Sequence, residues 1–355
     1  MRYFAKCKVP ASSLTILGKH RLRYLGARYK RRFFKDLLFL FGFQNLLNKK
    51  TLKKIWWNEN IVSPLQCISD VVHSKSKKTM IKIEDLSFSY GNYEVLKGIS
   101  FKMEEGKIYG LLGENGVGKT TLLTLIAGLK APQIGSILVD GKKPYDRQPS
   151  FLENIFYLPD VVAPVRYKAI DFAKDRGKFW SKFSLDRFNQ IMQLLENDPQ
   201  RRMDKMSLGQ LKKTYISFAL ACNCKYLIMD EPTNGLDIPS KAQFRKALTK
   251  FTSEDSTILI STHQVRDLEN IIDPIIILDK QDVLLNASIQ EITEKLYFDY
   301  STEVVPGALY AEMIPGGAIQ VRVNEEGLES KVNIEALFNA VHLHKDVVKN
   351  MFNKK

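Results

Sequence analysis

The stretch GENGVGKTT at residues 113–121 constrains this chain more than any other part of it. An apolar run precedes it at 108–112 and another follows it at 122–126, a pattern that predicts a buried strand, a glycine loop and an amphipathic helix. The three glycines let backbone N–H groups turn toward an anion, and the positive end of the following helix points at the same place. The sequence therefore predicts a site for the phosphates of a nucleotide.

Two side chains of this stretch supply groups that backbone amides lack, namely a full positive charge and a hydroxyl. Lys119 carries a compact positive charge for the β- and γ-phosphates of ATP, and the Thr120 hydroxyl can bind Mg²⁺. A glycine-rich turn before a helix is the alternative interpretation, and the flanking strand and helix disfavour it. We expect the whole stretch to bind the nucleotide: Gly113, Glu114, Asn115, Gly116, Val117, Gly118, Lys119, Thr120 and Thr121.

Two carboxylates follow the apolar run at 226–229. Asp230 is placed to hold Mg²⁺, directly or through water, because the acidic end of a hydrophobic strand does so in P-loop NTPases. Glu231 points the other way and can polarise an attacking water. A buried structural pair of carboxylates is the alternative.

From residue 80 onward the chain alternates between strand and helix patterns. Strands are predicted at 226–229, 257–261 and 275–278, and helices at 207–221, 240–250 and 265–272. This alternation predicts an α/β fold with a mostly parallel sheet, helices on both faces, and the nucleotide at the carboxyl ends of the strands.

Two segments depart from the alternation. Residues 81–101 predict antiparallel strands with a turn at 87–92, and 104–106 predicts a hairpin into the strand before the glycine loop. Residues from about 161 to about 206 are mostly helical in pattern, which makes them a candidate helical subdomain.

The positive charge of the chain is concentrated at its start. Residues 1–79 hold 18 Lys and Arg against three acidic residues, whereas the rest of the chain holds 35 basic and 36 acidic ones. This basic extension could lie on an anionic membrane surface, bind nucleic acid, or have no specific function and not belong to the native protein. Its apolar run at 33–43 is too short for a membrane-spanning helix.

The four cysteines lack the spacing of a zinc site and the density of a disulfide scaffold. Cys222 and Cys224 are expected to be reduced, half-buried thiols, which predicts a cytoplasmic location.

Six motifs occur in a fixed order, and together they resemble the ATP-binding subunit of ABC transporters from about residue 80 to about residue 282. They are Tyr90, GENGVGKTT (113–121), MSLGQ (206–210), YLIMDEP (226–232), NGLD (234–237) and STH (261–263). The resemblance implies an ABC ATPase fold, which is a P-loop NTPase with an antiparallel β subdomain and a helical subdomain, and it implies ATP and Mg²⁺ as cofactors.

The resemblance also implies roles for single residues. Tyr90 would stack on adenine, Glu231 would be the catalytic base, and His263 would sense the γ-phosphate. Ser207, Gly209 and Gln210 match the signature motif, which faces the γ-phosphate held by a second protomer, and Asp237 matches the loop that links the two sites of a dimer.

Two positions depart from the commonest form of the family. Leu208 replaces the first glycine of the signature. Asp160 follows the segment 156–159, where the family usually has a glutamine, and it is expected to contact the nucleotide site. Both resemble variants in drug-, polysaccharide- and haem-exporter-like ATPases. The segment 283–355 resembles the C-terminal extension of the same ATPases, with short strands and a helix near 334–341, and is expected to serve docking or dimer stability.

The resemblance implies a homodimer that drives a separate membrane permease, in the export direction, from the inner face of the cell membrane. Contact with the membrane surface is expected, and nucleic acid is not an expected partner. A soluble ABC ATPase acting on ribosomes or DNA is the alternative, and a neighbouring gene for a protein with about six apolar spans would favour transport.

Overall fold

The computed structural model describes residues 79–353. The expectations for the basic extension at 1–79 lie outside the described residues, except at Thr79. Within the described part, no helix combines the length and the apolar character needed to cross a membrane.

The described residues form strands and helices in alternation. The strands are β1 (Thr79–Tyr90), β2 (Tyr93–Glu104), β3 (Ile108–Leu112), β4 (Ile134–Val139), β5 (Ile155–Leu158), β6 (Tyr226–Asp230), β7 (Thr257–Thr262), β8 (Ile275–Asp279), β9 (Asp282–Ala287), β10 (Leu296–Ser301), β11 (Tyr310–Ile314) and β12 (Gly317–Val323). The helices are α1 (Lys119–Ile126), α2 (Pro149–Leu152), α3 (Ala169–Gly177), α4 (Leu185–Leu194), α5 (Leu208–Ala221), α6 (Ile238–Phe251), α7 (Ile289–Lys295), α8 (Ile334–Leu343) and α9 (Lys345–Asn353).

A central sheet carries the fold, with the strand order β5-β6-β7-β3-β8-β9. Its first five strands run parallel, and β9 pairs antiparallel with β8. The predicted α/β class with a mostly parallel sheet is confirmed. The central sheet continues to Ala287, so the domain boundary predicted at residue 282 lies at the start of β9.

Helices cover both faces of this sheet because alternate side chains of each strand point to opposite sides. In β6, Leu227 and Met229 pack with α5 and α6, whereas Tyr226 and Ile228 pack in the core that contains α1. A strand buried on both faces needs apolar side chains throughout, which explains the continuous runs that predicted these strands.

A second sheet, of order β2-β1-β4, is antiparallel. The predicted hairpin at 104–106 is wrong, because β2 pairs with β1 while β3 joins β7 and β8 in the central sheet. The turn predicted at 87–92 is confined to Gly91 and Asn92, since β1 continues to Tyr90.

The helical segment contains α3 and α4, which pack against α5 through buried side chains such as Ala173, Phe188 and Ile191. Helix α3 ends at Gly177, where the Phe183 ring lies so close that a Cβ on this glycine would stand 2.3 Å from it.

The helix predicted at 265–272 is wrong. Only a single 3₁₀ turn forms there, Val265–Asp267. The Arg245 guanidinium donates a hydrogen bond of 2.9 Å to the Asp267 carbonyl, and the Ile271 N–H bonds the Leu268 carbonyl instead of continuing a helical ladder to Asp267.

The C-terminal part adds a sheet of order β10-β12-β11 and the helices α7, α8 and α9. The buried face of α8, which includes Leu337 and Val341, belongs to the same core as Ile275 and Ile277 of β8. Helix α8 agrees with the prediction near 334–341, and α9 was not predicted.

Candidate functional site

The glycine loop links β3 to α1, and two of its glycines have no room for a side chain. A Cβ at Gly113 would lie 2.5 Å from the carbonyl oxygen of Leu278. Gly118 begins α1 with a φ of 108°, and a Cβ there would lie 2.8 Å from Val95. Packing and backbone conformation therefore both require glycine, as the motif predicts.

A cavity of about 340 Å³ opens beside this loop. Its volume lies within the range of small-molecule sites. Its lining residues come from the loop, from β1 and β2, and from the carboxyl ends of β5 and β6: Tyr90, Tyr93, Val95, Asn115, Gly116, Gly118, Lys119, Thr120, Thr121, Asp160, Asp230 and Glu231.

Lys119 is buried at the inner end of the loop. Its ammonium donates hydrogen bonds to the carbonyl oxygens of Gly113 at 2.7 Å and Glu114 at 3.0 Å. Burial lowers the pKa of this group, and attraction to Glu231 and Asp230 opposes the decrease. Lys119 thus holds a positive charge at the point where the loop amides and the start of α1 meet.

Asp230 is the most fully bonded carboxylate of the site. It accepts a hydrogen bond of 2.6 Å from the Thr120 hydroxyl on one oxygen and another from Ser261 on the other oxygen. The Tyr157 hydroxyl lies 3.5 Å from the first oxygen, and burial together with this carboxylate raises the pKa of Tyr157. Asp230 is therefore held firmly beside Thr120, with which it forms a pair of hard oxygen donors.

Ser261 and Tyr157 have roles that the sequence analysis missed. Both lie at the carboxyl ends of strands next to β6, and β5 and β7 pair with β6 in register. Neighbouring parallel strands end at the same edge of a sheet. Polar residues at the ends of 155–158 and 257–262 were therefore the sequence signal that could have identified these two residues.

Glu231 faces His263 rather than Thr120. The Nδ1 atom of His263 lies 2.8 Å from one oxygen of Glu231, and the His263 backbone N–H donates to the other oxygen at 3.4 Å. Glu231 has a φ of 44°, in the left-handed region that non-glycine residues rarely adopt. This turn of the backbone directs two consecutive carboxylates toward two different partners.

Tyr90 stands at the outer wall of the cavity, half exposed. Its hydroxyl lies 3.3 Å from the Thr121 hydroxyl, and the ammonium of Lys130 sits 4.8 Å above its ring. Tyr93 and Val95 extend this wall and were not among the predicted site residues. The wall offers an aromatic and apolar surface next to the loop.

Asp160 reaches the cavity from the segment that follows β5. Its carboxylate accepts hydrogen bonds from Lys212 at 3.1 Å and from Asn234 at 3.3 Å. Lys212 was not predicted to have any role, although it lies only two residues after the 206–210 motif.

The signature residues lie at the start of α5. Ser207 and Gln210 form a capping box, in which each side chain bonds the backbone N–H of the other at 3.3 and 3.1 Å. The position of a Cβ on Gly209 would lie 3.3 Å from the Gly235 carbonyl. None of the described residues that line the cavity comes from 207–210.

Asp237 caps a second helix, α6. Its carboxylate accepts a hydrogen bond of 2.9 Å from the Ser240 backbone, and hydrogen bonding to the Ser240 side chain and backbone lowers the pKa of Asp237. Leu208 and Ile238, beside the two capping residues, are 62% and 84% exposed. Within one chain, therefore, Ser207, Gly209, Gln210 and Asp237 remain apart from the cavity.

The parallel sheet, the glycine loop with its lysine, and the carboxylates at the end of β6 define a P-loop NTPase. A family model described as "ABC transporter" matches residues 96–234. The chain is 30% identical over 277 residues to the uncharacterized ABC transporter ATP-binding protein MJ1023 of Methanocaldococcus jannaschii, which covers 76% of this chain and 99% of that protein.

Other relatives and solved structures agree. ABC transporter ATP-binding protein YtrB of Bacillus subtilis is 29% identical, with 63% of this chain and 78% of that protein covered. A structure described as the ATP-binding subunit of an ABC transporter has a TM-score of 0.53 at 26% identity and covers 60% of this chain and 92% of its own. The dimeric structure of MJ0796, a bacterial ABC transporter cassette, shares the fold with a TM-score of 0.53 at 21% identity, over 59% of this chain and 98% of its own. This chain belongs to the family of ABC transporter ATP-binding proteins and is an ABC ATPase.

Proposed function

We propose that two copies of this chain enclose two molecules of ATP with Mg²⁺ and that hydrolysis drives a separate membrane permease, in the export direction. The observation that carries this proposal is the division of the site. Lys119, Asp230 and Glu231 line one cavity, whereas Ser207 lies outside it at an exposed helix start. A second copy can supply the missing side.

The loop and α1 would bind the triphosphate. Backbone amides of the loop and the ammonium of Lys119 offer positive charge for the β- and γ-phosphates. The adenine ring would lie on Tyr90, whose half-exposed ring stands at the outer wall. From the partner, the positive end of α5 at Ser207 would face the γ-phosphate.

The oxygen atoms of Thr120 and Asp230 fit Mg²⁺, which prefers hard oxygen ligands and takes few of them from protein. When bound, the ion would neutralise charge on the phosphate oxygens. Ser261 and Tyr157 hold the Asp230 carboxylate in place for this role.

Glu231 is the proposed base. Its carboxylate would orient a water for attack on the γ-phosphate, and His263 fixes the carboxylate through the 2.8 Å contact. Loss of the γ-phosphate would remove the link between Lys119 of one chain and Ser207 of the other, so the dimer would reopen.

Two features support the dimer. Leu208 and Ile238 expose large apolar side chains next to the helix starts that would meet the partner's site. The MJ0796 cassette, which has this fold, is described as dimeric. We place the dimer on the inner face of the cell membrane because ATP is supplied there. Export rests on the exporter-like form of Leu208 and Asp160.

Purification of the chain from native membranes tests the proposal. We expect a protein with several apolar spans to co-purify, and ATP hydrolysis to depend on Glu231 in that complex. Co-purification with ribosomes or nucleic acid, and without such a protein, would contradict it.

A further inference from the structure

A buried lysine lies behind the wall of the nucleotide cavity. Lys212 is 1% exposed, in the middle of a helix face formed by buried residues such as Leu211 and Ile216. A charged side chain is costly to bury unless a partner compensates its charge. The buried position of this ammonium therefore indicates that its charge has a function that offsets the free energy of burying it.

The partner of Lys212 is Asp160, which lines the cavity. The ammonium donates one hydrogen bond of 2.5 Å to the Asp160 backbone carbonyl and another of 3.1 Å to its carboxylate. Asn234, which lies three residues after Glu231, donates to the same carboxylate oxygen at 3.3 Å. Lys212 thus fixes both the backbone and the side chain of Asp160.

Where no cation compensates its charge, an aspartate is unfavourable beside a bound triphosphate, because the two negative charges repel each other at short range. In this cavity Asp160 stands in the same lining as the phosphate loop and Lys119. A positive charge behind Asp160 would cancel the repulsion without entering the cavity itself, and burial would keep that charge from being screened by salt.

We propose that Lys212 is a positioning residue that neutralises Asp160 and fastens it to α5, so that the cavity accepts a nucleoside triphosphate. The inference rests on the proposed use of this cavity for ATP. Since α5 also carries Ser207 at its start, the same contact ties the cavity wall to the segment that would face the partner's γ-phosphate.

The test compares Lys212→Met, Asp160→Asn and the double variant in the full chain. A fluorescent ATP analogue and its ADP counterpart are titrated with Mg²⁺ present, and thermal unfolding is recorded for each variant. Lys212→Met leaves the Asp160 charge uncompensated, and we expect the dissociation constant for the ATP analogue to rise about tenfold, with a smaller rise for the ADP analogue.

The double variant distinguishes charge from packing. Removing the Asp160 charge in the Lys212→Met background should return the dissociation constant to within about threefold of the wild type, because neither charge then remains. Lys246→Met removes an exposed lysine from α6 and serves as the matched control, with unchanged binding. Lys212→Gln keeps a donor for the Asp160 carbonyl and replaces Lys212→Met if that variant does not fold.

Two results would overturn the inference. Wild-type affinity in the folded Lys212 variant would show that the charge is not needed, and equally weak binding in the single and double variants would show a structural role only. A wild-type chain that binds no ATP analogue would instead contradict the proposed function, so the two failures are distinguishable.

Discussion

At the residue scale, the site depends on how β6 ends. Asp230 and Glu231 are consecutive, yet one contacts Thr120 and the other His263. The left-handed backbone of Glu231 makes this separation possible, and its N–H donates to the Ser261 carbonyl at 3.2 Å. Such a conformation costs about 1–3 kcal/mol and persists where surrounding contacts enforce it.

The first prediction concerns the base. Glu231→Gln keeps the size of the side chain but cannot take a proton, so we expect ATP binding to persist and turnover to fall about 10²- to 10⁴-fold. Equilibrium binding of an ATP analogue and steady-state phosphate release measure the two effects. Full turnover by this variant would remove Glu231 from its proposed role.

The second prediction concerns Lys119, whose pKa is lowered by burial. Because the unfolded chain then holds the proton more tightly than the folded one, the contribution of Lys119 to folding stability rises as pH increases from the lowered pKa toward 10.5. At pH 7 the folded protein carries the cost of burying the charged form. Lys119→Met should therefore weaken ATP binding at least tenfold without lowering nucleotide-free stability.

Urea unfolding at pH 7 and titration with an ATP analogue test this pair of effects. A large loss of nucleotide-free stability in Lys119→Met would show that the ammonium serves the fold rather than the ligand.

The sequence predicted the loop and both carboxylates because they lie in short motifs whose chemistry is local. It could not assign Ser261, Tyr157 or Lys212, since their roles depend on which strands and helices become neighbours. Lys212 and Asp160 are 52 residues apart and meet only because α5 packs behind β5.

At the element scale, two helices begin with the same device. Ser207 of α5 and Ser288 of α7 both form capping boxes, with Gln210 and Glu291 respectively. Ser207→Ala and Ser288→Ala should each lower the free energy of unfolding by about 1 kcal/mol. Only Ser207→Ala should also reduce ATP turnover, because of these two helices only α5 would face a nucleotide.

Urea unfolding and phosphate release on the two variants make this comparison. Equal loss of turnover in both would mean that Ser207 acts only as a helix cap.

Helix α8 joins the C-terminal part to the ATPase core. Leu337 is 0% exposed and Leu343, on the same helix, is 64% exposed. Leu337→Ala should lower the free energy of unfolding by about 2–5 kcal/mol, whereas Leu343→Ala should change it by less than about 0.5 kcal/mol. Urea unfolding measures both changes. A small loss of unfolding free energy in Leu337→Ala would show that the C-terminal part packs independently.

Elements whose apolar residues follow a clear pattern were predictable from the sequence. Elements whose backbone bonding departs from the pattern were not. Strands β6 and β8 are apolar up to a terminal aspartate, and α5 combines a capping signal with a long buried face. The segment 265–272 also has helical spacing, with Leu268 and Ile272 buried, but its backbone bonds at shorter spacing and its Asp267 carbonyl contacts Arg245 of α6. β3 joined the central sheet because its side chains are apolar on both faces.

At the scale of the whole molecule, the cavity and the exposed starts of α5 and α6 form two separate surfaces. The cavity holds the groups that would bind a triphosphate. The helix starts hold Ser207 and Asp237, with exposed Leu208 and Ile238 beside them. Under the proposed function a single chain binds ATP but cannot complete the catalytic site. The dimer is then the active unit.

The dependence of ATPase activity on protein concentration tests this claim most directly. With saturating ATP and Mg²⁺, the rate per chain should rise with concentration and level off as dimers form, and sedimentation of Glu231→Gln with ATP should show those dimers. A rate per chain that stays constant down to concentrations at which sedimentation shows only monomers would contradict the account.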